Sequence, residues 1–554
     1  MIVKIADNIL SPLGRDTEEN LRSIRAGRSM LQRHSLWQIP EPFVASLFSD
    51  DMLEERTYEG ALRQSVTEAL SHAVGIDVAS ARTVLILSST KGQTTGPDGE
   101  CMGDTAARLA HSIGVTTRPI TVSNACISGL SAQLLAMRLL DSGAYDTAIV
   151  AGCDIQSKFI VSGFQSFHAV SDEPCRPFDE DRYGLNLGEA AATIIYQRRD
   201  HALPDEWVLC RGAVRNDAFH ISGPSKTAEG SYRAIRQVMA NEDATQLACI
   251  SAHGTATLYN DDMEAKAIDR AGLMDVLVDG LKGYYGHTMG AAGILETILT
   301  MHAIDAGWVP GTRGYAACGT GSPIRVSAEH SSTDKRQFVK LMSGFGGCNG
   351  AALYKKGDQM TAAAATMSDS TAPLRTLHSV RITPGSITLD GAPLHVEGHG
   401  KEMLSAFYKQ HVGDYPKFYK MDMLARLGFI AAELLCKDEA PAESENRAVV
   451  LVNRSASLTA DRQYEQTIQP GDDYFPSPAD FVYTLPNIVT GEIAIRHHYH
   501  GETTFLVLQQ KDDAMIDRLV RQALADSKTT SVLGGWLECD SEDNFMAELQ
   551  ILSI

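Results

Sequence analysis

At 554 residues the chain is too long for one ordinary domain, and a norm of about 150 residues per domain divides it into three or four units. Hydrophobic residues make up 44% and charged residues 21%, the balance of a protein with a large core. The formal net charge of −20 excludes a nucleic-acid binder, because a phosphate backbone demands a basic surface.

The ten cysteines show no CxxC pair and no regular spacing, so they read as reduced thiols and not as a disulfide framework or zinc site. The opening Met1 to Asp7 lacks a basic segment followed by an apolar run. No stretch reaches the roughly 20 apolar residues of a membrane span. The expected location is the cytoplasm.

Through residue 357, short apolar runs alternate with helical patterns, which predicts an α/β domain. Val84 to Leu87 reads as a buried strand. Cys126 then sits in Val-Ser-Asn-Ala-Cys-Ile-Ser-Gly, and Leu130, Leu134, Leu135, Met137 and Leu139 predict a buried helix opening just after it. Thr147 to Gly152 is the next strand. Ala248 to Ala252 is another, delivering His253 to its C-terminal end ahead of Gly254, Thr255, Ala256 and Thr257. His287 opens a helix rich in glycine and alanine, five positions after Lys282. The stretch from Thr361 to Pro373 is small and polar and reads as a linker.

The remainder, 374–554, reads as a partial echo of the first domain. Ala448 to Ser455 parallels the strand at Thr83 to Thr90, and the helical pattern Met421 to Leu435 precedes it. Phe481 to Gly491 is taken as the counterpart of Ile120 to Gly129, with Pro486 and Asn487 in place of the nucleophile, and Thr503 to Leu508 as the strand after it. The segment is expected to be inert and to support assembly.

A helix N-terminus favours a thiolate at Cys126 without a neighbouring cation. His253 and His287 lie among small residues, and Lys282 supplies a charge that holds an imidazole neutral. One thiol and two neutral imidazoles suit an acyl thioester next to a carbanion, since N–H donors stabilise negative charge without quenching it. The acidic run Asp179 to Arg182 reads as a solvated loop. Arg496 to His500 lacks a second ligand cluster and reads as a polar turn between helix and strand, not a metal site. Cys101, Cys153, Cys175, Cys249 and Cys348 read as small apolar groups.

In order and flanking residues, the three motifs resemble the elongating, decarboxylating β-ketoacyl synthases. So do Ser11 to Gly14, Arg176 to Asp179, Gly184 to Glu189 and Gly344 to Asn349. The resemblance covers residues 1 to 357 and implies a thiolase-like five-layer fold of two βαβαβαββ halves. The first half, 1–249, would hold the nucleophile, and the second, 250–357, both histidines. A linker at 358–373 and a degenerate synthase-like α/β domain at 374–554 would follow. Dimerisation beside the nucleophile strand is implied, as a homodimer or with another synthase-like chain.

The resemblance also implies residue roles. Cys126 carries the acyl chain, and the amides of Cys126 and Phe345 form an oxyanion hole. His253 and His287 hold the malonyl thioester, with Lys282 supporting them. Phe345 gates the site between Gly344, Gly346 and Gly347, and Thr255 and Thr257 join those glycines at the substrate. No metal or resident cofactor is implied, since substrates arrive on the phosphopantetheine of an acyl carrier protein.

Asn124, Ala256, Tyr284 and Tyr285 depart from the usual motifs and reshape the channel without removing a reacting group. The expected reaction is a decarboxylative Claisen condensation in fatty-acid, polyene or polyketide assembly. The alternatives are acyl transfer without carbon–carbon bond formation, or a length-determining or scaffolding subunit. An acidic carrier requires a local basic patch on this acidic chain.

Overall fold

The computed structural model describes residues 1–553 except 56, 94–100, 361–373, 440–441, 470 and 472–473. It is built from three copies of one βαβαβαββ unit. The first contains strands β1 (Ile2–Leu10), β2 (Thr83–Ser88), β3 (Ile120–Val122), β4 (Thr147–Asp154) and β5 (Ala190–Arg198). Its helices are α1 (Tyr58–Ser71), α2 (Met102–Ser112) and α3 (Ser128–Asp141). The second contains β6 (Trp207–Asn216), β7 (Cys249–Ser251), β8 (Leu277–Asp279), β9 (Gln337–Gly344) and β10 (Cys348–Lys356), with α4 (Glu229–Val238), α5 (Leu258–Arg270) and α6 (Ala292–Asp305). The third contains β11 (Arg375–Thr383), β12 (Arg447–Asn453), β13 (Thr503–Val507), β14 (Ser531–Ser541) and β15 (Asn544–Ser553), with α7 (Met423–Leu435), α8 (Ile488–His497) and α9 (Asp513–Ala523).

Each copy pairs its strands in the same way. The second strand lies parallel to the third on one side and to the fourth on the other. The fourth is antiparallel to the fifth, and the fifth to the first. Strands β2 and β4 are buried along their whole length, as a sheet covered on both faces requires.

Helices α3 and α6 form the layer between the first two sheets. Both are almost wholly buried, so their apolar residues run all round. They approach closely at glycines: a Cβ on Gly129 would stand 2.7 Å from the Gly290 carbonyl, and one on Gly293 would stand 2.6 Å from the Leu130 nitrogen. Helices α1 and α2 cover the outer face of the first sheet, and α4 and α5 that of the second. These are the five layers of the thiolase-like fold.

Two sequence expectations need correction. The second copy begins at β6, not at Ile250, because β6 pairs with β10 from Trp207↔Lys356 to Asn216↔Cys348 and meets β1 only at Val3↔Val208. In the third copy, Thr503–Val507 stands in the place of the nucleophile strand, not of the strand after it, since β13 lies beside β12 as β3 lies beside β2. Phe481 falls instead in a short helix, Pro478–Tyr483, whose N-cap Ser477 accepts a hydrogen bond from the Asp480 amide. Of the proposed linker, Gly357–Gln359 form a 3-10 turn, and 361–373 lie outside the described residues.

The third copy joins the first edge to edge. Strand β13 runs antiparallel to β3, with Leu506 opposite Val122 and Val507 opposite Thr121. The Ser123 amide donates to the Phe505 carbonyl at 3.0 Å, and Asn124 Nδ2 donates to Thr503 O at 3.0 Å. Both edges of β3 are therefore in use within the chain, at the edge where the resemblance implied a second subunit.

Three ion pairs tie the third copy to the other two: buried Arg138–Glu502 at 2.7 Å and half-buried Lys91–Asp461 at 2.6 Å to the first, and buried Arg215–Asp526 at 2.9 Å to the second. Buried pairs fix register more than they add stability. Among the described residues no helix is long and apolar enough to cross a membrane.

Candidate active site

Cys126 lies between β3 and α3, after Ala125, whose φ of +47° turns the strand sharply towards the helix. Such a conformation is strained for a residue with a Cβ, and it aims the thiol away from the sheet. His253 follows β7, and the Glu264 carboxylate fixes its loop by accepting the amides of His253 and Gly254, each at 2.7 Å. His287 follows Gly286, whose φ is +72°, and its amide donates to the Asn186 carbonyl at 2.7 Å.

These three turns converge. The Cys126 sulfur and one nitrogen of each imidazole all lie within 4.8 Å of one another. The two rings meet edge to face with centroids 5.1 Å apart. The same three atoms are the only His, Cys, Asp and Glu group among the described residues compact enough to hold a metal ion. The Lys282 charge beside them opposes a cation there.

Lys282 is fully buried, and its ammonium sits 3.3 Å from His253 Nδ1 and 2.7 Å from the Glu296 carboxylate. An ammonium can only donate, so Nδ1 of His253 accepts and its proton resides on Nε2. Both ring nitrogens of His287 are buried with no hydrogen-bond partner among the described residues, which leaves one N–H for a substrate oxygen.

Burial, and then the Lys282 charge, holds both imidazoles well below the ordinary histidine pKa. They are neutral donors at neutral pH. Burial pushes the Cys126 thiol up to about 12, against the lowering influence of Lys282. The expectation of a thiolate set by the helix terminus alone is thus corrected. Burial is the largest influence on the sulfur, and a cation, Lys282, does act on it, where the sequence implied none.

Phe345 stands over the cysteine at the turn between β9 and β10. A Cβ on Gly344 would lie 3.3 Å from both the Cys126 nitrogen and the Ala125 Cβ, so this strand runs against the nucleophile's backbone. Gly346 and Gly347 take φ of +87° and +71°, a region that glycine enters freely. The Phe345 ring packs on Phe164 and Phe167, with centroids at 6.2 and 5.6 Å.

A narrow cavity opens at Cys126, lined by Ile160, Phe164, Met289 and Phe345, and by Phe481 and Leu485 of the third copy. Thr255 and Thr257 do not line it. They share a 2.9 Å hydroxyl hydrogen bond on the loop after His253.

Several participants escaped the sequence reading. Glu296 bridges Lys282 and Lys340, the latter at 2.6 Å, and Lys340 also donates to the Ala252 carbonyl at 3.0 Å. A single charge within the apolar runs of α6 and of β9 was the available signal, because an unpaired charge is not buried there. Lys91 lines the cavity beside its Asp461 partner, and nothing in its surroundings in the chain marked it.

The acidic run is a solvated loop only in part, at Glu180 and Asp181. Asp179 and Arg182 are buried, the Asp179 carboxylate accepting the Ala316 amide at 2.6 Å and Arg182 reaching Asp262 at 3.2 Å. The histidine cluster at 496–500 closes α8, where His498 caps the helix at φ +56° and His497 meets Glu433 at 3.2 Å.

Comparison with known proteins agrees with this site. The family description "Beta-ketoacyl synthase, N-terminal domain" matches residues 60–202, and "Beta-ketoacyl synthase, C-terminal domain" matches 208–316. The chain is 30% identical over 276 residues to a 3-oxoacyl-[acyl-carrier-protein] synthase 2 of Vibrio cholerae, a match covering 45% of this chain and 65% of that protein. It is 30% identical over 226 residues to nodulation protein E of a Rhizobium species, covering 38% and 54%. The chain thus spans somewhat under two thirds of the curated relatives it matches.

Among solved structures, "PfaC Keto synthase-Chain length factor" aligns with all of this chain and 78% of its own, with a TM-score of 0.77 at 14% identity. A type II ketosynthase in complex with its acyl-carrier protein aligns over 64% of this chain and 99% of its own, with a TM-score of 0.56 at 21% identity. At these identities the likeness is one of fold.

Proposed function

We propose that the chain is a β-ketoacyl synthase of the thiolase superfamily that condenses an acyl group held on Cys126 with a malonyl thioester carried by an acyl carrier protein; the two matching synthase domains support this reading. The observation that carries this reading is the convergence of one thiol and two neutral imidazoles within 4.8 Å.

In the first step the Cys126 proton passes to a neutral imidazole, and the sulfur attacks the incoming acyl thioester. A carbon–sulfur bond forms, and the carrier thiolate leaves and takes up a proton. The amides of Cys126 and Phe345 stabilise the tetrahedral oxyanion. In the second step the N–H groups of His253 and His287 hold the malonyl thioester oxygen. The bond to the carboxylate breaks, carbon dioxide departs, and its electron pair forms the enolate. The enolate carbon attacks the acyl carbonyl on Cys126, the carbon–sulfur bond breaks with its electron pair on sulfur, and the thiolate takes up a proton from solvent to restore the thiol for the next cycle.

Lys282 keeps both donors neutral, and a neutral imidazole is too weak an acid to protonate the enolate carbon. The third copy takes the place of a partner chain, because β13 covers the edge of β3 and Phe481 and Leu485 close the acyl cavity. A scaffolding role for this copy accords with its position, whereas the first two copies retain every reacting group.

Intact-protein mass after exposure to acyl-loaded carrier, then malonyl-loaded carrier, tests the proposal. The expected result is an acyl adduct on the wild type, absent from Cys126→Ala, that is discharged with carbon dioxide release and a β-ketoacyl carrier product. Transfer of the acyl group to water or an alcohol with no carbon dioxide would favour simple acyl transfer.

A further inference from the structure

Asn487 lies outside the matched family domains, in the third copy, at the N-cap of α8. Asparagine at an N-cap ordinarily turns its side chain onto its own helix. Here that capping bond is absent. Instead Asn487 Nδ2 donates to the Phe345 carbonyl at 2.8 Å. The residue is buried at 1% exposure, and its Oδ1 has no hydrogen-bond partner among the described residues. A buried amide that leaves its oxygen unsatisfied is held in place by what its N–H groups do.

The neighbouring gate carbonyl is held from the same side. Asn216 Nδ2 donates to Gly346 O at 2.8 Å and to Thr503 Oγ1 at 3.0 Å, and the Asn216 carbonyl meets His500 Nδ1 at 2.9 Å. Both Thr503 and His500 belong to the third copy. Helix α8 also lies directly on the loop, since a Cβ on Gly491 would stand 2.6 Å from Gly346 O and one on Gly346 would stand 2.6 Å from Asn487 Nδ2.

We propose that Asn487 is a positioning residue that latches the Phe345 turn over Cys126, so that the third copy sets how readily the nucleophile is uncovered. The proposal rests on reading Phe345 as the gate. Opening the turn breaks the Asn487 bond to Phe345 O, and the Gly346–Gly347 pair absorbs the rotation. Release of this latch uncovers Cys126 to small electrophiles and to water, and it admits malonyl groups before the cysteine is acylated.

The test is the rate at which iodoacetamide alkylates Cys126 in the full chain, read by peptide mass. Asn487→Leu keeps the side-chain volume without the donor, and Asn487→Asp keeps the shape and sets a carboxylate against the carbonyl. Loss of one neutral hydrogen bond predicts alkylation about fivefold faster in Asn487→Leu, and faster still in Asn487→Asp. Cys153 and Cys249, both fully buried, report unfolding and should stay unlabelled. Should Leu destabilise the fold, the Asp variant carries the test.

Wild-type alkylation rates in both folded variants would overturn the latch. Alkylation needs no carrier, so faster labelling combined with a wild type that never condenses would sink the proposed function and leave the latch standing. In an active enzyme the variants should release more than one carbon dioxide per condensation product, a ratio that a purely structural defect would leave at one.

Discussion

Arg215→Met removes the charge paired with Asp526 where the third copy meets the first two. Both side chains are fully buried, and the guanidinium grips the carboxylate through two hydrogen bonds, at 2.9 and 3.0 Å. After the substitution Asp526 keeps the Gln237 amide at 3.1 Å, the Lys528 backbone at 2.9 Å and the influence of the Arg138 charge, which is itself bound to Glu502. Breaking one partner of a buried pair costs about 3–5 kcal/mol, because the remaining charge stays desolvated. Three kcal/mol is roughly a hundredfold in an opening equilibrium.

The assay is hydrogen exchange of the amides of β3 and β13, which pair across the same interface. Arg215→Met should exchange there about a hundred times faster than wild type, while β2 and β4 stay protected. The double variant Arg215→Met, Asp526→Leu should recover most of the protection, since no charge is left buried. The pH dependence has a definite sign. Burial alone would raise the Asp526 carboxyl, but the hydrogen bonds and charge of Arg215 outweigh it and hold the group below its ordinary value of 3.8. The pair's contribution is therefore complete above about pH 4 and is lost as pH falls through the depressed folded value. Equal exchange in wild type and Arg215→Met at neutral pH would refute the claim that this pair fastens the third copy.

Alkylation of Cys126 should rise about tenfold per pH unit from pH 7 to 9 without a plateau, because its thiol titrates near 12; a plateau below pH 9 would contradict that. Activity requires neutral imidazoles and falls only as pH drops through their depressed pKa values. Lys282→Met removes a cation that lowers both, so the acid limb of carbon dioxide release should move upward in pH, and an unmoved limb would leave burial and the Lys340 charge as the causes. Phe481→Ala should lengthen the acyl chains loaded on Cys126 and reduce stability by about 3–5 kcal/mol. Gly163→Ala, whose new Cβ would collide with the Phe481 ring, should shorten them; identical chain-length profiles by adduct mass would remove Phe481 from the cavity's end.

The three converging groups were legible because each lies in a short, glycine-flanked turn at a strand end, and a turn's residues report its local backbone. Cys126, His253 and His287 stand where those turns imply, and the apolar runs of α3 and α6 marked the buried helices. The third copy was legible as a repeat but was read one element out of register. The β-branched and aromatic run at Phe481 to Thr484 has strand propensity, yet Ser477 and Pro478 form a helix start, and the helix prevailed. The strand that does pair, Thr503–Val507, is five residues long and carries no local mark of its partner.

The sequence by itself singled out the groups that the fold brings together: one thiol, two imidazoles and a glycine turn. Those depend on contacts within a few residues. Only the tertiary structure decided the environment that gives the chemistry its protonation states, the ion network of Lys282, Glu296 and Lys340, and the closure of β3 and the gate by the third copy. Burial and long-range pairing are properties of the packed chain. The interaction of Asn487 with Phe345 spans 142 positions, and no pattern local to either residue encodes it.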